Sequence, residues 1–288
     1  MRTVSRTAFI EQLHERWHKQ DTMLCVGLDP DPSRLPARLS KRPDGVQQFC
    51  RNIVDATAEY VCAFKPQVAY FAALGKEDEL AQLIAYIHEN HPAIPVILDA
   101  KRGDIGSTAR LYATEAFERF AADAVTVNPY PGEESIQPYL EYVDRGVIVL
   151  CRTSNPDSDW LQMYPKAEPV YLRVAKAAVH WNTHGNVMLV AGATFPEELG
   201  AIRAVVGDMG LLVPGVGAQG GDLHSVITLG CNSGGVGLVI NASRSVLYAG
   251  VGPDYATEYA HKAAVAAREM RDEIRNLQAE LAPDRAVV

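Results

Sequence analysis

Two ionisable residues stand two positions apart at the end of an apolar run, Asp99 and Lys101. In an extended strand, side chains two apart project from the same face, so both would enter one pocket. An alternation of carboxylates and lysines can hold a lysine protonated, ready to donate a proton to carbon, while an aspartate beside an anionic leaving group raises the ground-state energy of that group. The spacing therefore favours carbanion chemistry. Asp104 lies further on, in a turn with Gly103, and need not point into the same pocket.

A surface ion pair at a strand end is the simplest alternative for this cluster. However, the apolar residues 94–98 lead directly into Asp99, so the charges begin at the edge of a buried core, where an unpaired charge is costly. Charges kept in such places are often functional. We therefore interpret Asp99 and Lys101 as part of a reacting cluster.

Short apolar runs alternate with helix-like segments along the chain. The runs cover residues 23–28, 61–68, 94–98, 124–127, 147–151, 187–191, 211–213 and 236–240. Helical patterns cover residues 77–89, 108–119, 171–181 and 196–205. Runs rich in Val, Ile and Leu that do not alternate with polar residues are typical of parallel strands covered on both faces. Eight such units without a break in composition predict an α/β protein, a (β/α)8 TIM barrel forming a single domain over residues 1–288.

Both ends of the chain carry further helical patterns. Residues 1–21 are predicted to be an N-terminal extension with a helix over about 7–19, and residues 254–288 a long amphipathic helix, to about 281, with a tail. The segment from His14 to His18 matches the zinc motif H-E-x-x-H. It precedes the first strand and lacks a third ligand, so we interpret it as a packed helix and predict no metal site. Its apolar stripe comprises Phe9, Ile10, Leu13 and Trp17.

The composition excludes several classes of protein. A net charge of −8 and a pI near 5.5 oppose binding to nucleic acid, which depends largely on Lys and Arg contacts with phosphates, although a small anionic ligand remains compatible. The sequence shows neither a signal peptide nor an apolar run of membrane-spanning length, so we expect a cytoplasmic protein. The five cysteines are scattered without a C-x-x-C pair, and we expect reduced, mostly buried thiols.

A glycine-rich segment, residues 215–220, matches the dinucleotide-binding pattern G-x-G-x-x-G. A dinucleotide fold would place an acidic residue about twenty positions later, where this chain has the run from Val239 to Ser243. In a (β/α)8 barrel, the loops after strands seven and eight commonly bind phosphate through backbone N–H groups. Arg244 adds a planar cation suited to phosphate. The glycine-rich segment after strand seven and Arg244 after strand eight therefore predict a phosphate site.

The run 98–105 resembles the D-x-K-x-x-D-I signature of the orotidine 5′-phosphate decarboxylase family. Similarity extends from Gly27 to about Tyr248, and both the loop 128–132 and the chain length resemble the longer, second type of that family. No catalytic position departs from the family pattern. The other matching segments are Gly27-Leu28-Asp29-Pro30, Phe64-Lys65-Pro66, Thr153-Ser154-Asn155-Pro156, residues 214–222 and Asn241-Ala242-Ser243-Arg244-Ser245.

The resemblance implies conversion of orotidine 5′-monophosphate to uridine 5′-monophosphate and CO2, the last step of pyrimidine nucleotide synthesis, with no metal or organic cofactor. It implies that Lys101 donates the proton to C6 and that Asp99 faces the substrate carboxylate. Lys65 would complete the charged array and contact the ribose. Asp104 would enter the site of the partner subunit, which makes a homodimer with shared active sites necessary.

The resemblance also implies a set of substrate-binding residues. Asp29 would accept a hydrogen bond from a ribose hydroxyl, and Ser154 would hydrogen-bond the pyrimidine ring. Gln219 and Arg244 would lie at the phosphate. The remaining residues of this set are Ile105 and Thr108, which would join Asp104 in the partner's site, and Pro214, Gly220 and Asn241.

Two other functions remain open at the level of sequence. A hexulose-phosphate synthase or keto-gulonate-phosphate decarboxylase of the same barrel superfamily also uses an Asp-x-Lys-x-x-Asp run but works through Mg²⁺ and an enediolate. The Gln219 loop and the segment from Ser154 to Pro156 favour the nucleotide. A catalytically silent, phosphate-binding barrel is the second alternative, and the joint presence of four charged residues argues against it. Those residues are Lys65, Asp99, Lys101 and Asp104.

Overall fold

The computed structural model describes residues 7–216, 220–250 and 255–285 and contains one sheet of eight parallel strands. The strands are β1 (Leu24–Leu28), β2 (Ala63–Pro66), β3 (Ile97–Arg102), β4 (Ala124–Val127), β5 (Gly146–Arg152), β6 (Val187–Ala191), β7 (Leu211–Pro214) and β8 (Leu238–Ala242). Their order is β2-β1-β8-β7-β6-β5-β4-β3. The ends of this order meet through parallel bridges from Phe64 to Val96 and from Gln67 to Asp99. The predicted barrel is therefore confirmed.

Helices connect the strands and form the outer layer. The α-helices are α1 (Phe9–Lys19), α2 (Ala37–Ser40), α3 (Gly45–Thr57), α4 (Val68–Ala72), α5 (Glu77–Asn90), α6 (Gly106–Thr114), α7 (Gln137–Leu140), α8 (Asp159–Gln162), α9 (Val170–Trp181), α10 (Pro196–Val206), α11 (Leu223–Gly230), α12 (Arg244–Leu247) and α13 (Tyr255–Arg285). A π-helical segment, Glu115–Arg119, continues α6. Short 3₁₀ turns lie at Pro32–Arg34, Ala58–Tyr60, Glu133–Ser135 and Pro156–Ser158.

Two strand boundaries differ from the sequence-based prediction in ways that matter for the site. The run 61–68 forms a strand only over Ala63–Pro66, because the side chain of Gln67 caps α4, which begins at Val68. In contrast, β3 continues past the apolar run 94–98 to Arg102. The charged residues therefore lie within the strand, at its carboxyl end.

Helix α1 closes the end of the barrel where the strands begin. Phe9, Leu13 and Trp17 are buried, as the apolar stripe predicts. The indole Nε1 of Trp17 donates to the carbonyl oxygen of Leu238, at the start of β8, over 2.8 Å. A Cβ on Gly146, at the start of β5, would lie 2.2 Å from the ring of Phe9. The packed helix is thus confirmed, and it covers the end of the barrel opposite the loops that carry the candidate site.

The remaining structural expectations concern cysteines, metal ligands and the membrane. All five cysteines are free and buried, as expected. His14 and His18 are exposed on α1. Within residues 7–216, 220–250 and 255–285, no three His, Cys, Asp or Glu side chains gather as a metal site would need. No helix in that part of the chain is long and apolar enough to cross a membrane.

Helix α13 packs outside the barrel, largely against α3. Tyr259 and Ile274 are buried on its inner side. The ring of Tyr259 stacks on Phe49 with centroids 5.3 Å apart, and its hydroxyl accepts a hydrogen bond of 2.5 Å from Asn52. The predicted long C-terminal helix is confirmed from Tyr255; residue 254, where the prediction began, lies outside the described residues.

Candidate active site

The polar residues predicted at strand ends gather at the carboxyl end of the barrel. Parallel strands place all their carboxyl ends on one side of a barrel, where the following loops surround a common centre. One cavity at this end is lined by residues at, or just after, the carboxyl ends of β1, β2, β3, β7 and β8. Six of the predicted site residues line it, namely Asp29, Lys65, Asp99, Pro214, Asn241 and Arg244.

A charged array of one aspartate and two lysines lies at this cavity. Lys65 Nζ is 2.7 Å from Asp99 Oδ2, and Lys101 Nζ is 2.5 Å from Asp99 Oδ1. The side chains of Lys65 and Asp99 are 5% and 9% exposed, whereas that of Lys101 is 44% exposed. The array therefore has a buried half and one lysine that reaches solvent.

The two lysines keep Asp99 ionised. Burial by itself would raise the pKa of this carboxyl, but attraction to Lys65 and Lys101 and their hydrogen bonds outweigh burial and hold its pKa well below the usual range. Burial by itself would lower the pKa of Lys65, yet the charges of Asp99 and Asp29 raise it above its ordinary value. The buried pair thus remains an ion pair throughout the neutral range.

The backbone reaches this arrangement through a bulge. Lys101 has a φ of 47°, in the left-handed region, and the register between β3 and β4 shifts between Leu98 and Arg102. A left-handed conformation costs a non-glycine residue about 1–2 kcal/mol. The expectation that a regular extended strand aligns Asp99 and Lys101 is therefore wrong in geometry, although the two side chains do meet.

Thr126, on β4, is a residue of the site that the sequence prediction missed. Its buried hydroxyl donates to Asp99 Oδ1 over 2.9 Å. It is the single hydroxyl-bearing residue in the apolar run Ala124–Val127. A lone hydroxyl in such a run is the feature of the sequence that could have indicated its role. Asp99 Oδ1 therefore has two partners, Lys101 and Thr126, whereas Oδ2 has Lys65.

The ends of β1 and β8 approach each other closely beside the array. A Cβ on Gly27 would lie 1.9 Å from Ser243 Oγ and 3.1 Å from Asn241 Oδ1, so this crossing needs glycine. Asn241 donates to Ser243 Oγ over 3.3 Å. Asp29 follows β1, and its buried Oδ1 has no hydrogen-bond partner among the described residues. A carboxylate oxygen in that state is available to a ligand hydroxyl.

The predicted phosphate site is only partly described. Arg244 is exposed at the start of α12, and no carboxylate in the described ranges pairs with it. Pro214 ends β7, and Gly220 is exposed with a φ of 85°, a conformation that suits glycine. Gln219 lies outside the described residues.

Ser154 lies on the loop after β5, at the same end of the barrel but outside the cavity lined by the array. Its backbone packs against Gly192, where an added Cβ would be 2.7 Å from the Cα of Ser154. Thr194 Oγ1 donates to the carbonyl oxygen of Ser154 over 2.9 Å. Two residues of the loop after β6 therefore fix the backbone position of Ser154.

Arg152, which the sequence prediction also missed, anchors that loop from beneath. The residue is 1% exposed, and its guanidinium carbon lies 3.6 Å from the centroid of the Phe195 ring. Nη2 pairs with Asp159 Oδ1 at 2.5 Å, and Nη1 contacts Gln162 Oε1 at 3.3 Å. Gln162 in turn accepts from the backbone N–H of Thr153 over 2.9 Å. One buried cation thereby ties the loop after β5 to the loop after β6.

Asp104, Ile105 and Thr108 form no hydrogen bond or ion pair with the array within the described part of the chain. Asp104 Oδ1 accepts from the N–H of Ile105 over 2.8 Å, and among the described residues no bond links this carboxylate to Lys65 or Lys101. Ile105 is 48% exposed, and Thr108 is also exposed. Within one chain, these three predicted residues do not join the site.

Comparison with known proteins agrees with the fold and identifies the family. A relative from Azoarcus sp. (strain BH72), an orotidine 5′-phosphate decarboxylase, is 57% identical over 268 residues, covering 92% of this chain and 98% of that protein. A relative of the same name from Dechloromonas aromatica is 60% identical over 244 residues, covering 84% and 90%. The structure of the Leishmania donovani OMP decarboxylase has a TM-score of 0.82 and 37% identity, covering 94% of this chain and 99% of that one. The family model matches residues 22–259, and the chain belongs to the orotidine 5′-phosphate decarboxylase/HUMPS family.

Proposed function

We propose that this chain decarboxylates orotidine 5′-monophosphate to uridine 5′-monophosphate, with Lys101 as the proton donor to C6. The observation that carries the proposal is the array in which Asp99 contacts both Lys65 and Lys101 at the carboxyl end of the barrel. Relatives at 55–60% identity over most of their length bear the name of this activity.

The reaction breaks one carbon–carbon bond and forms one carbon–hydrogen bond. The bond between C6 and the carboxylate breaks, CO2 leaves, and the electron pair remains on C6. An N–H bond of the Lys101 ammonium then breaks as C6 takes the proton. Lys101 is the exposed member of the array, so water can return a proton to its amine. Lys65, which is buried, is poorly placed for that exchange.

Asp99 would act on the substrate carboxylate. It stays ionised because of its two lysine partners, so a second carboxylate brought against it is repelled. Such repulsion accelerates the reaction because it is relieved as neutral CO2 forms. The cation of Lys101 meanwhile lies where negative charge develops, and a fixed charge of this kind stabilises a transition state without reorganisation.

The other site residues would hold the nucleotide. Asp29, whose Oδ1 has no described partner, would accept from a ribose hydroxyl, and Ser154 would bond the pyrimidine. Arg244 would bind the phosphate with Gln219 and the loop after β7. Binding energy from the phosphate can then force the carboxylate toward Asp99. Pro214, Gly220 and Asn241 would complete the walls of this site.

The proposed assembly is a homodimer with shared sites. Ile105 and Thr108 are exposed at the start of α6, Asp104 beside them is partly exposed, and Leu111 on α6 has a side chain 69% exposed. Apolar side chains of this kind are typical of an interface. In the dimer, Asp104 would supply the partner's array with the second carboxylate that each single chain lacks.

The geometry of Asp99 disfavours the Mg²⁺-dependent alternative. Both oxygens of its carboxylate already contact cationic or hydroxyl donors, through Lys65, Lys101 and Thr126. A divalent cation bound there would have to displace ammonium groups and would be repelled by them. The site is thus better suited to proton transfer than to chelation.

One assay separates the three functions. Purified protein is mixed with orotidine 5′-monophosphate, with and without EDTA, and loss of substrate absorbance is followed together with chromatography of the product. We expect equimolar uridine 5′-monophosphate and the same rate in EDTA. Loss of activity in EDTA would restore the Mg²⁺-dependent alternative. Binding without turnover by the wild-type chain would identify a silent barrel.

Gly192→Ala should weaken substrate binding by displacing Ser154. The new Cβ would lie 2.7–2.9 Å from Ser154 backbone and side-chain atoms, so the loop has to move. Losing one hydrogen bond to the pyrimidine costs about 1 kcal/mol, which predicts a KM raised about fivefold to tenfold. Gly200→Ala is the matched control, because its Cβ meets only Leu229, at 3.6 Å, and Ala favours a helix. Equal KM values for the two variants would contradict the role of Ser154.

A further inference from the structure

One residue of β4 faces three residues of β3. The register pairs Leu98 with Val125 and then Arg102 with Val127. Residues 99–101 therefore lie opposite Thr126 alone. A regular ladder cannot satisfy the N–H groups of such a bulge, because the partner strand offers too few carbonyl groups.

The Thr126 hydroxyl takes the place of the missing carbonyl. Its Oγ1 accepts from the N–H of Ala100 and from the N–H of Lys101, each over 3.0 Å. A hydroxyl has two acceptor sites and one proton. Since both acceptor sites are in use, the proton points elsewhere, and it is donated to Asp99 Oδ1 over 2.9 Å.

Oδ1 of Asp99 is also the oxygen that contacts Lys101 Nζ, at 2.5 Å. Thr126 consequently holds Lys101 from two directions, through its backbone N–H and through the carboxylate that binds its ammonium group. Left-handed backbone conformations at functional sites persist only when surrounding groups enforce them. At Lys101, with a φ of 47°, the enforcing group is this hydroxyl.

We infer that Thr126 is a positioning residue of the reaction, which sets the place of the Lys101 ammonium group and the orientation of the Asp99 carboxylate. The inference rests on the proposed function, since it concerns the delivery of a proton by Lys101. Thr126 itself is buried beneath the array with 1% exposure and acts through these two residues. Its removal should therefore affect the chemical step and spare the binding of ribose and phosphate.

The test compares variants that differ in the hydroxyl. Thr126→Val keeps the shape and removes the hydroxyl, Thr126→Ser keeps the hydroxyl, and Thr126→Ala removes it without adding bulk. Thr22→Val is the matched control, because the Thr22 hydroxyl is equally buried, donates to the carbonyl oxygen of Tyr60 over 2.6 Å and lies at the opposite end of the barrel. For each variant, kcat, KM, the dissociation constant of uridine 5′-monophosphate and thermal unfolding are measured.

We expect Thr126→Val and Thr126→Ala to lower kcat about a hundredfold, the effect of a misplacement of about 1 Å. The KM and the product dissociation constant should change by less than about threefold. Thr126→Ser should recover most of kcat, and Thr22→Val should lose thermal stability while keeping kcat. A purely structural role would lower stability in both Val variants alike and would leave kcat of the folded protein unchanged.

Three results would overturn the inference. These are a kcat near wild type in Thr126→Val, an equal loss in Thr126→Ser, and an equal loss in Thr22→Val. If Thr126→Val does not fold, the comparison of Thr126→Ala with Thr126→Ser decides in the same way. Absence of decarboxylation in the wild-type protein is a different outcome, because it refutes the proposed function and is recorded before any variant is compared.

Discussion

Lys101→Ala is expected to abolish turnover while leaving the binding of uridine 5′-monophosphate largely intact. In the proposed mechanism the lost ammonium group is the proton donor, and it is also the cation nearest to the charge that develops on C6. General acid catalysis alone typically contributes a factor of about 10²–10⁴, so we expect kcat to fall at least a thousandfold. In the proposed site, other residues make the ribose and phosphate contacts on which product binding depends, so the dissociation constant of the product should stay within about threefold. Single-turnover kinetics and isothermal titration with product provide the two measurements.

The control for this substitution is Lys41→Ala. Lys41 is an exposed lysine that follows α2, and its removal changes the net charge by the same amount without touching the array. Its kcat should equal that of the wild type. A kcat of Lys101→Ala above one tenth of the wild-type value would show that another group, of which Lys65 is the nearest candidate, donates the proton. A large loss of product affinity would contradict the expectation that Lys101 acts in the chemical step alone.

The charged cluster was predictable because burying unpaired charged side chains at the edge of a core costs free energy. An apolar run that ends in Asp99 and Lys101 places charge at the edge of a core, and such charge needs partners. The bulge was not predictable, because Lys101 is neither glycine nor asparagine and carries no local sign of a left-handed backbone. The groups that enforce this conformation come from β4, which lies elsewhere in the sequence.

The barrel was predictable from hydrophobic runs, but the packing of its ends was not. Periodicity identifies the apolar stripe of α1 without indicating that Trp17 reaches the start of β8. Arg152 is a similar case. An arginine at a strand end is usually exposed, but here Phe195 covers it from the loop after β6, and Asp159 and Gln162 bond it from α8. Contacts between distant segments decide both cases, and periodicity carries no information about them.

Asp104 is a different case, because its proposed site lies in the partner subunit, and the structure of a single chain does not contain that site. Among the described residues its carboxylate bonds only the next backbone N–H, and residues 106–108 at the start of α6 are exposed. In the proposed dimer, Lys101 and Asp104 of one chain serve different active sites. Lesions at these two positions should therefore complement each other, whereas two lesions in the array of one chain should not.

Mixing inactive Lys101→Ala and Asp104→Ala chains is expected to restore activity. Each heterodimer has one site that carries both lesions and one native site, so random exchange of subunits should give about one quarter of the wild-type rate per chain. The control is Lys101→Ala mixed with Asp99→Asn: both residues belong to the same array, every site then carries a lesion, and no activity should return. Chains with different affinity tags are unfolded and refolded together, and the doubly tagged heterodimer is isolated and assayed.

A heterodimer without activity would place Asp104 outside the partner's site, and a mixture that forms no heterodimer would refute the shared assembly itself. Recovery confined to the first pair would assign Lys101 and Asp104 to different sites of one dimer, since a defect in folding cannot be complemented by one mutant partner and not by the other.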